Sequence, residues 1–222
     1  MTLSDYDKTQ ILVTGLPRTG TTSLCIAALG AGYKTAHTAY TREALDCAEF
    51  IADTPVFADY EKLYALYPEA RIVHLTRDFE QWLPSIKRLM KAMKENLLSQ
   101  KGGFNDTIKR CYLETFPDFD KHFEDHGYWR DCYSKHHDRV LSFAKINHIP
   151  IIMVNLNATD AEQTLAEFIG VTQEKVTIPH VNIGGKVTAW KWFSHPNKVE
   201  STRNGKADKD TALFSIQVRS SA

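Results

Sequence analysis

Residues 15–22, GLPRTGTT, decide the fold because they join an apolar run to a helical stretch. The apolar run is QILVT at residues 10–14, which is typical of a buried strand in a parallel sheet. The helical stretch is TTSLCIAAL at residues 21–29, and Gly30 and Gly32 end it. A glycine-rich turn between two such elements points successive backbone N–H groups at one spot, in front of the positive end of the helix dipole. The sequence therefore predicts an anion-binding loop at residues 15–22.

Outward from this loop, strands and helices alternate. Further strands are predicted at residues 33–37, 71–76 and 150–156. Alternation of this kind favours right-handed crossovers between parallel strands. We therefore expect an α/β fold: a single doubly wound domain in which a parallel sheet is flanked by helices. Those helices are predicted at residues 41–52, 59–66, 78–99 and 160–169, with two or three more in an aromatic-rich segment at residues 99–147.

The alternation does not continue to the end of the chain. A strand is predicted at residues 186–193, and a turn at residues 203–206 precedes another apolar run at residues 212–218. These signals fit a C-terminal β-hairpin, and a mobile tail is the alternative. The domain is accordingly expected to cover residues 1–182, with residues 183–222 as a C-terminal extension.

The length and net charge of the chain limit the number of domains and the kinds of partner that we expect. The chain has 222 residues, which suits one domain with a sizeable core, and its 27 Lys and Arg balance its 27 Asp and Glu. A neutral balance gives no general attraction to nucleic acid or to an anionic membrane, so neither is expected as a partner. A highly charged ligand would have to meet a local cluster of cations. An oligomer is neither indicated nor excluded.

The compartment is predicted from signals that the sequence lacks. Residues 1–10 are polar and include acids, unlike a secretory signal, and no apolar run reaches membrane-spanning length. The four cysteines form no CxxC pair and no regular framework, which suits reduced thiols. We therefore expect a cytoplasmic protein.

The position of the positively charged residue in the anion-binding loop distinguishes between classes of nucleotide-binding protein. Its spacing matches the GxxxxGK[ST] loop of nucleotide-hydrolysing proteins, except that Thr21 stands where the lysine belongs. Without that lysine, a nucleoside triphosphatase loses the cation that bridges the β- and γ-phosphates. Arg18 carries the charge here instead. The pattern Pro-Arg-x-Gly-Thr-Thr resembles the 5′-phosphosulfate loop of sulfotransferases that use 3′-phosphoadenosine 5′-phosphosulfate (PAPS), in which Pro-Lys-x-Gly-Thr-Thr is usual.

This resemblance implies roles for the loop residues. Arg18 and the loop amides would stabilise charge on the leaving phosphate, so Arg18 is also a candidate catalytic residue. Many cytosolic relatives carry a tryptophan that stacks on adenine where this chain has Ser23. The residues implied to bind the donor are Pro17, Arg18, Thr19, Gly20, Thr21, Thr22 and Ser23.

A second motif strengthens the resemblance. RIVHLTRD at residues 71–78 is predicted to be a strand that ends in Arg77, and Ser85 follows eight residues later. Members of the family carry an Arg and a Ser at this spacing, which together hold the 3′-phosphate of PAPS. Arg77 would supply a guanidinium fork and Ser85 a hydroxyl donor. Trp82 between them resembles a tryptophan of the single-domain, bacterial-type branch, and we interpret it as a core aromatic.

The resemblance covers about residues 11–182 and implies a fold and an activity. The fold would be that of P-loop sulfotransferases, related to P-loop nucleotide hydrolases. The activity would be transfer of a sulfuryl group from PAPS to a hydroxyl or amine of a small acceptor, releasing adenosine 3′,5′-bisphosphate without a metal. Relatives also close an Arg-Lys-Gly-rich segment over the 3′-phosphate. The nearest match here makes Lys186 a candidate nucleotide ligand, with Trp190 and Lys191 beyond it.

Sulfuryl transfer also needs a base for the acceptor's proton. His37 ends a predicted strand at the rim where ligands of α/β proteins bind. Asp53 lies in a segment that resembles the one carrying a catalytic side chain in relatives, and Asp59 is a third candidate. His37 and Asp53 also have ordinary structural interpretations, as a surface residue at a strand end and as the cap of a turn.

Three alternatives stay open. A P-loop nucleotide or nucleoside kinase is disfavoured by Thr21, and a relative that binds the nucleotide without catalysis is not excluded. Zinc is the third alternative, although the spacings match no familiar zinc motif and we expect no metal. We expect instead that the aromatic segment at residues 99–147 roofs the acceptor pocket. The zinc alternative would use Cys111, His122, His126, Cys132, His136 and His137.

Overall fold

The computed structural model describes residues 9–181, 188–202 and 213–214. Its strands are β1 (Ile11–Val13), β2 (Thr35–Ala36), β3 (Phe50–Ile51), β4 (Arg71–Thr76) and β5 (Ile151–Asn155). They pair in parallel in one sheet, in the order β2-β3-β1-β4-β5. The predicted α/β fold with a parallel sheet is confirmed, and the loop that follows β1 emerges near the middle of the sheet.

Four of the eight α-helices described begin at a side chain that caps the helix. Thr41, Asp78, Asn105 and Asp125 each accept a hydrogen bond from a backbone N–H in the first turn, which satisfies a donor that the helix itself leaves free. Among the helices described, none is long and apolar enough to cross a membrane. The helices are α1 (Thr21–Gly30), α2 (Arg42–Cys47), α3 (Val56–Leu66), α4 (Phe79–Leu98), α5 (Asp106–Thr115), α6 (His126–Ile146), α7 (Ala161–Ile169) and α8 (Ala189–Trp192).

Successive residues of β1 point to opposite faces of the sheet, so the strand contributes to two cores. On one face Val13 packs with Leu24 of α1 and with α7. On the other face Leu12 packs with Val140 of α6 and with α2 and α3. A third, aromatic cluster around Trp82 joins α4, α5 and α6. Helices on both faces make the sheet doubly wound, as predicted.

Two local predictions are wrong. The helix predicted over residues 41–52 ends at Cys47, and Phe50–Ile51 form β3. These two residues pair with β1 on one side and β2 on the other, and that pairing outweighs the local helical pattern. The strand predicted at residues 186–193 is contradicted where α8 occupies Ala189–Trp192.

Some predictions concern residues outside the described ranges. The turn at residues 203–206 lies there, as does the apolar run at residues 212–218 apart from residues 213–214. The C-terminal β-hairpin is contradicted in its first strand, where α8 occupies Ala189–Trp192, while its turn and most of its second strand stay predictions. The domain boundary at residue 182 also stays a prediction, because residues 182–187 are not described.

Candidate functional site

A cavity of about 810 Å³ opens at the carboxyl edge of the sheet. Its floor is the loop after β1, and its sides come from residues after the other strands and from α4 and α5. Ligands of open α/β sheets bind at this edge, and the volume is within the range for a small-molecule site. Lys186 lies outside the described residues. The other predicted site residues all line the cavity: Pro17, Arg18, Thr19, Gly20, Thr21, Thr22, Ser23, His37, Asp53, Arg77 and Ser85.

The anion-binding loop is held in shape by contacts from below. Thr19 donates a side-chain hydrogen bond to the carbonyl of Leu16 at 2.7 Å, and the indole of Trp82 donates one to the carbonyl of Pro17 at 2.9 Å. Gly15 permits a close approach to β4, since a Cβ there would lie 2.4 Å from a side-chain carbon of Leu75. Trp82 is thus a core aromatic, as interpreted, and it also anchors the loop.

The first turn of α1 is free of a side-chain cap. Gly20 occupies the cap position with a φ of 109°, and no side chain there accepts a hydrogen bond from the turn. The helix therefore directs backbone N–H groups and the positive end of its dipole into the cavity. Thr21, Thr22 and Ser23 begin this helix and line the cavity. An anion is the ligand that this arrangement favours.

The loop and the Arg77 motif meet through Arg18. Its Nε donates a hydrogen bond to the hydroxyl of Ser85 at 3.0 Å, and Nη1 of Arg77 donates one to the carbonyl of Arg18 at 3.0 Å. Burial, together with the like charge of Arg77, lowers the pKa of Arg18. Nε of Arg77 is buried and has no hydrogen-bond partner among the described residues. Two guanidiniums and a hydroxyl converge here, an arrangement that suits a phosphate.

Tyr133 holds Arg77 in position from α6. Its hydroxyl donates to the carbonyl of Arg77 at 2.6 Å and accepts from the backbone N–H of the same residue at 3.1 Å. The side chain of Arg18 is directed to Ser85, the residue that the resemblance assigns to the 3′-phosphate, rather than along the loop. The two predicted phosphate sites are therefore contiguous, with Arg18 between them.

His37 and Asp53 also meet beside the loop. Nε2 of His37 lies 2.9 Å from the hydroxyl of Thr22, 3.2 Å from that of Thr21 and 3.7 Å from Oδ2 of Asp53. Thr21 donates a hydrogen bond to the same carboxylate oxygen at 3.1 Å. Burial lowers the pKa of His37, and the charge of Asp53 opposes part of that shift. The imidazole is therefore neutral near pH 7, the form that accepts a proton.

Asp59, the third candidate base, has a structural role instead. It is buried, it is not among the residues that line the cavity, and both of its oxygens accept hydrogen bonds from Arg110 of α5. Lys62 adds a third hydrogen bond at 2.9 Å. Burial alone would raise the pKa of Asp59, but the hydrogen bonds from Arg110 and Lys62 outweigh it and lower the pKa. The carboxylate therefore joins α3 to α5.

The cysteines and histidines considered as a zinc site are bound to different partners. Cys111 contacts Asp59, while His122 stacks on Tyr128. His136 is 2.6 Å from the carbonyl of Thr14, and His137 is 3.0 Å from His74. Within the described residues, no group of three or more His, Cys, Asp or Glu is arranged to hold a metal ion.

Four further residues at the site were missed by sequence reasoning or given no place there. Tyr40, Arg88 and Tyr112 line the cavity, and the ring of Trp190 in α8 lies 5.6 Å from that of His37. Arg88 follows Ser85 by three residues on α4, so helical spacing could have found it. Tyr40 reaches the cavity from the segment between β2 and α2, and Tyr112 reaches it from α5, and no local pattern marks either of them.

The arrangement can bind an anionic group on the loop and a second one beside Arg77, with a proton acceptor next to the first. A family model described as "Sulfotransferase domain" matches residues 37–187 of the chain. The matched range includes His37, Asp53, Arg77 and Ser85, and it begins after the loop at residues 15–22. No curated protein matches the chain.

Proposed function

The chain belongs to the sulfotransferase domain family, and from that premise we propose that its sulfuryl donor is PAPS and its acceptor a small molecule with a hydroxyl or amine. The observation that carries this proposal is the hydrogen bond from Arg18 to Ser85, which joins the anion-binding loop to the Arg77 motif in one cavity. A donor with anionic groups at the 3′ and 5′ positions of one nucleoside needs two anion sites in the same cavity. A single triphosphate needs only one.

The cavity fits both ends of such a donor. The uncapped first turn of α1, with the hydroxyls of Thr21 and Thr22, suits the phosphosulfate. Arg77 and Ser85, with Arg18 beside them, suit a 3′-phosphate, and the unpartnered Nε of Arg77 supports a role in binding rather than in packing. ATP lacks a 3′-phosphate and would leave this second site unused.

The proposed reaction moves one proton and one sulfuryl group. The acceptor oxygen or nitrogen attacks sulfur and loses its proton to Nε2 of His37, while the bond from sulfur to the bridging oxygen of the 5′-phosphate breaks. The sulfated acceptor and adenosine 3′,5′-bisphosphate are the products, and the proton passes from His37 to water. Negative charge that builds on the leaving phosphate is stabilised by the N–H groups and hydroxyls at the start of α1.

His37 is preferred over Asp53 as the base because of the contacts around the two side chains. Both side chains contact threonines. Nε2 of His37 lies 2.9 Å from the hydroxyl of Thr22, which would turn away when the base takes a proton. Asp53 accepts hydrogen bonds from Thr54 at 2.9 Å and from Thr21 at 3.1 Å. Its charge 3.7 Å from His37 would stabilise the imidazolium that forms when the base takes a proton. We therefore assign Asp53 to orienting and stabilising His37.

Two alternatives are weaker. A nucleotide kinase would need a cation at the position of Thr21, and the family of the chain gives it no support. A relative that binds the nucleotide without turnover differs only in activity, so an assay separates it. A cytoplasmic location remains part of the proposal, supported by four cysteines that are all free thiols.

Thermal unfolding with adenosine 3′,5′-bisphosphate, and separately with ATP, each with and without Mg²⁺, tests the donor. A ligand at a hundredfold excess over its Kd stabilises the native state by about 2.7 kcal/mol, so a large shift with the bisphosphate is expected without Mg²⁺. Equal stabilisation by ATP, or a strict need for Mg²⁺, would contradict the proposal. Release of adenosine 3′,5′-bisphosphate from PAPS, dependent on an added acceptor, distinguishes the enzyme from an inactive relative.

A further inference from the structure

The strand order divides the cavity into two ends. Residues after β4 and β5, including Arg77 and Asn157, line one end, and residues after β2 and β3, including His37 and Asp53, line the other. The loop after β1 lies between them. If the proposed function holds, the 3′-phosphate side of the donor occupies the Arg77 end. The reacting hydroxyl or amine of the acceptor is then expected at the end with His37, and the rest of the acceptor along the remaining wall of the cavity.

An apolar wall lines part of this cavity. Leu89 and Met93 come from α4, while Phe104 and Ile108 come from the start of α5 and the residues before it. All four are partly exposed and pack on the aromatic cluster behind them. Tyr112 lines the cavity one turn farther along α5 and is itself buried. Such a wall favours an acceptor that has an apolar part about as large as a ring system.

Arg88 lies where this wall meets the donor site. It follows Ser85 by three residues, about 4.5 Å along the axis of α4, and directly precedes Leu89. Its side chain is exposed and lines the cavity, and it makes no ion pair with any residue of the described ranges. After burial and the charge of Arg77, the charge of Arg88 also contributes to the lowered pKa of Arg18. Both anionic ends of the donor already have their own binding groups, so Arg88 is available to another anion.

We propose that the acceptor carries an anionic group, a carboxylate or its equivalent, on an apolar body, and that Arg88 recognises this group. The inference rests on the proposed function and names the substrate class of the same site. A guanidinium binds a carboxylate through two parallel hydrogen bonds, while the apolar wall removes the body of the acceptor from water. Arg88 would thereby select an anionic alcohol or amine over its neutral analogue.

Calorimetric titration tests this with a matched pair of probes, 6-hydroxy-2-naphthoate and 2-naphthol, which share a ring system and a hydroxyl. Each is titrated into the protein saturated with adenosine 3′,5′-bisphosphate. We expect the naphthoate to bind at least about tenfold more tightly than the naphthol. Arg88→Ala should abolish this preference, and Arg88→Lys should retain part of it because the charge remains. Lys91→Ala, an exposed cation on the same helix, is the matched control and should change nothing.

The affinity for the nucleotide separates this inference from the proposed function. Arg88→Ala should bind adenosine 3′,5′-bisphosphate about as well as the wild type does. Equal binding of the two probes by a wild-type protein that binds the nucleotide would overturn the inference alone. An Arg88→Ala variant that loses the nucleotide but keeps the naphthoate preference would also overturn it, because Arg88 would then be a donor ligand. A wild-type protein that binds neither the nucleotide nor the naphthoate would overturn both proposals.

Discussion

The Nε atom of Arg18 donates a hydrogen bond to the hydroxyl of Ser85 at 3.0 Å, although the two residues stand 67 positions apart in the chain. One belongs to the loop after β1 and the other to the second turn of α4. Because the bond links the two proposed phosphate sites, a change at either residue should be felt at both. Their coupling is directly measurable.

We expect Ser85→Ala to weaken binding of adenosine 3′,5′-bisphosphate by about tenfold, roughly 1.4 kcal/mol, since a hydroxyl donor to phosphate and the partner of Arg18 are lost together. In a double-mutant cycle with Arg18→Lys, the coupling energy should be about 1 kcal/mol. Titration calorimetry measures both. Ser134→Ala, an exposed serine on α6, is the control. Additive effects at the two positions would show that the bond does not bear on the ligand.

Arg77→Ala should cost more affinity, about 2 to 3 kcal/mol, because a charge-assisted fork to phosphate disappears. Among the described residues, the side chain of Arg77 donates one hydrogen bond, to the carbonyl of Arg18, so the fold should persist and unfold cooperatively. Arg130→Ala removes an exposed guanidinium paired with Glu80 outside the cavity, and should leave the affinity unchanged. Normal nucleotide binding by Arg77→Ala would mean that the 3′-phosphate binds elsewhere.

Substitution of the base should separate turnover from binding. His37→Ala should lower kcat by roughly two to four orders of magnitude while the affinity for adenosine 3′,5′-bisphosphate stays nearly constant. Asp53→Asn should reduce kcat less, because it removes a charge that stabilises the imidazolium but leaves the base. If both variants keep most of their turnover, the base lies elsewhere in the cavity.

The pH dependence of the wild-type rate gives a second view of His37. A base must be unprotonated, so the rate should rise as pH increases through the pKa of His37. Burial lowers that pKa, which places the rise below about pH 6.5, the ordinary value for histidine. A rate that rises only above pH 7 would contradict the assignment. The rise should be absent from the residual activity of His37→Ala.

The free energy of unfolding should fall as pH drops below about 6.5. Burial and two neighbouring histidines lower the pKa of His74 to about 3, and burial lowers that of His136 to about 4 despite a hydrogen bond to Thr14. Both stay neutral in the folded protein, whereas the unfolded chain takes up protons, so each contributes a loss of up to about 1.4 kcal/mol per pH unit. His137 and Arg139 face these rings and add repulsion when they are charged.

Urea unfolding between pH 7.5 and 5.5 measures this slope. In His136→Gln, which retains a hydrogen-bond donor for the carbonyl of Thr14, the slope should be shallower by about 1 kcal/mol per pH unit at most. The slope is compared within each variant, so a general loss of stability does not obscure it. His122→Gln, which replaces an exposed histidine on the loop before α6, is the control. An unchanged slope in His136→Gln would show that this histidine is protonated in the fold.

Asp59→Asn should destabilise the protein by about 2 to 3 kcal/mol, because Arg110 and Lys62 lose the buried carboxylate between them. Arg110 is partly exposed, so the loss is smaller than for a fully buried pair. Nucleotide affinity and kcat should survive, as expected of a residue that joins helices. Asp118→Asn, which breaks an exposed pair with Lys121, should have no measurable effect on urea unfolding. Loss of turnover in stable Asp59→Asn would return it to the candidate bases.

The fold class followed from local patterns alone. Alternating apolar runs and amphipathic stretches are enough to indicate a parallel sheet with helices on both sides, because each pattern reports its own period. The predicted length of the helix over residues 41–52 was wrong. Its last part includes Phe50–Ile51, which form a strand because they pair with β1 and β2 on either side. A two-residue strand has no pattern of its own.

The sequence by itself determined which residues are predicted to bind phosphate, because the loop at residues 15–22 and the spacing from Arg77 to Ser85 are local features of the chain. Only the tertiary structure decided what those residues do to one another. It brought Arg18 to Ser85, placed His37 between two threonines and Asp53, and paired Asp59 with Arg110 away from the cavity. The physical reason is that direction and burial of a side chain depend on the packing of several elements. A single stretch of sequence does not contain that information.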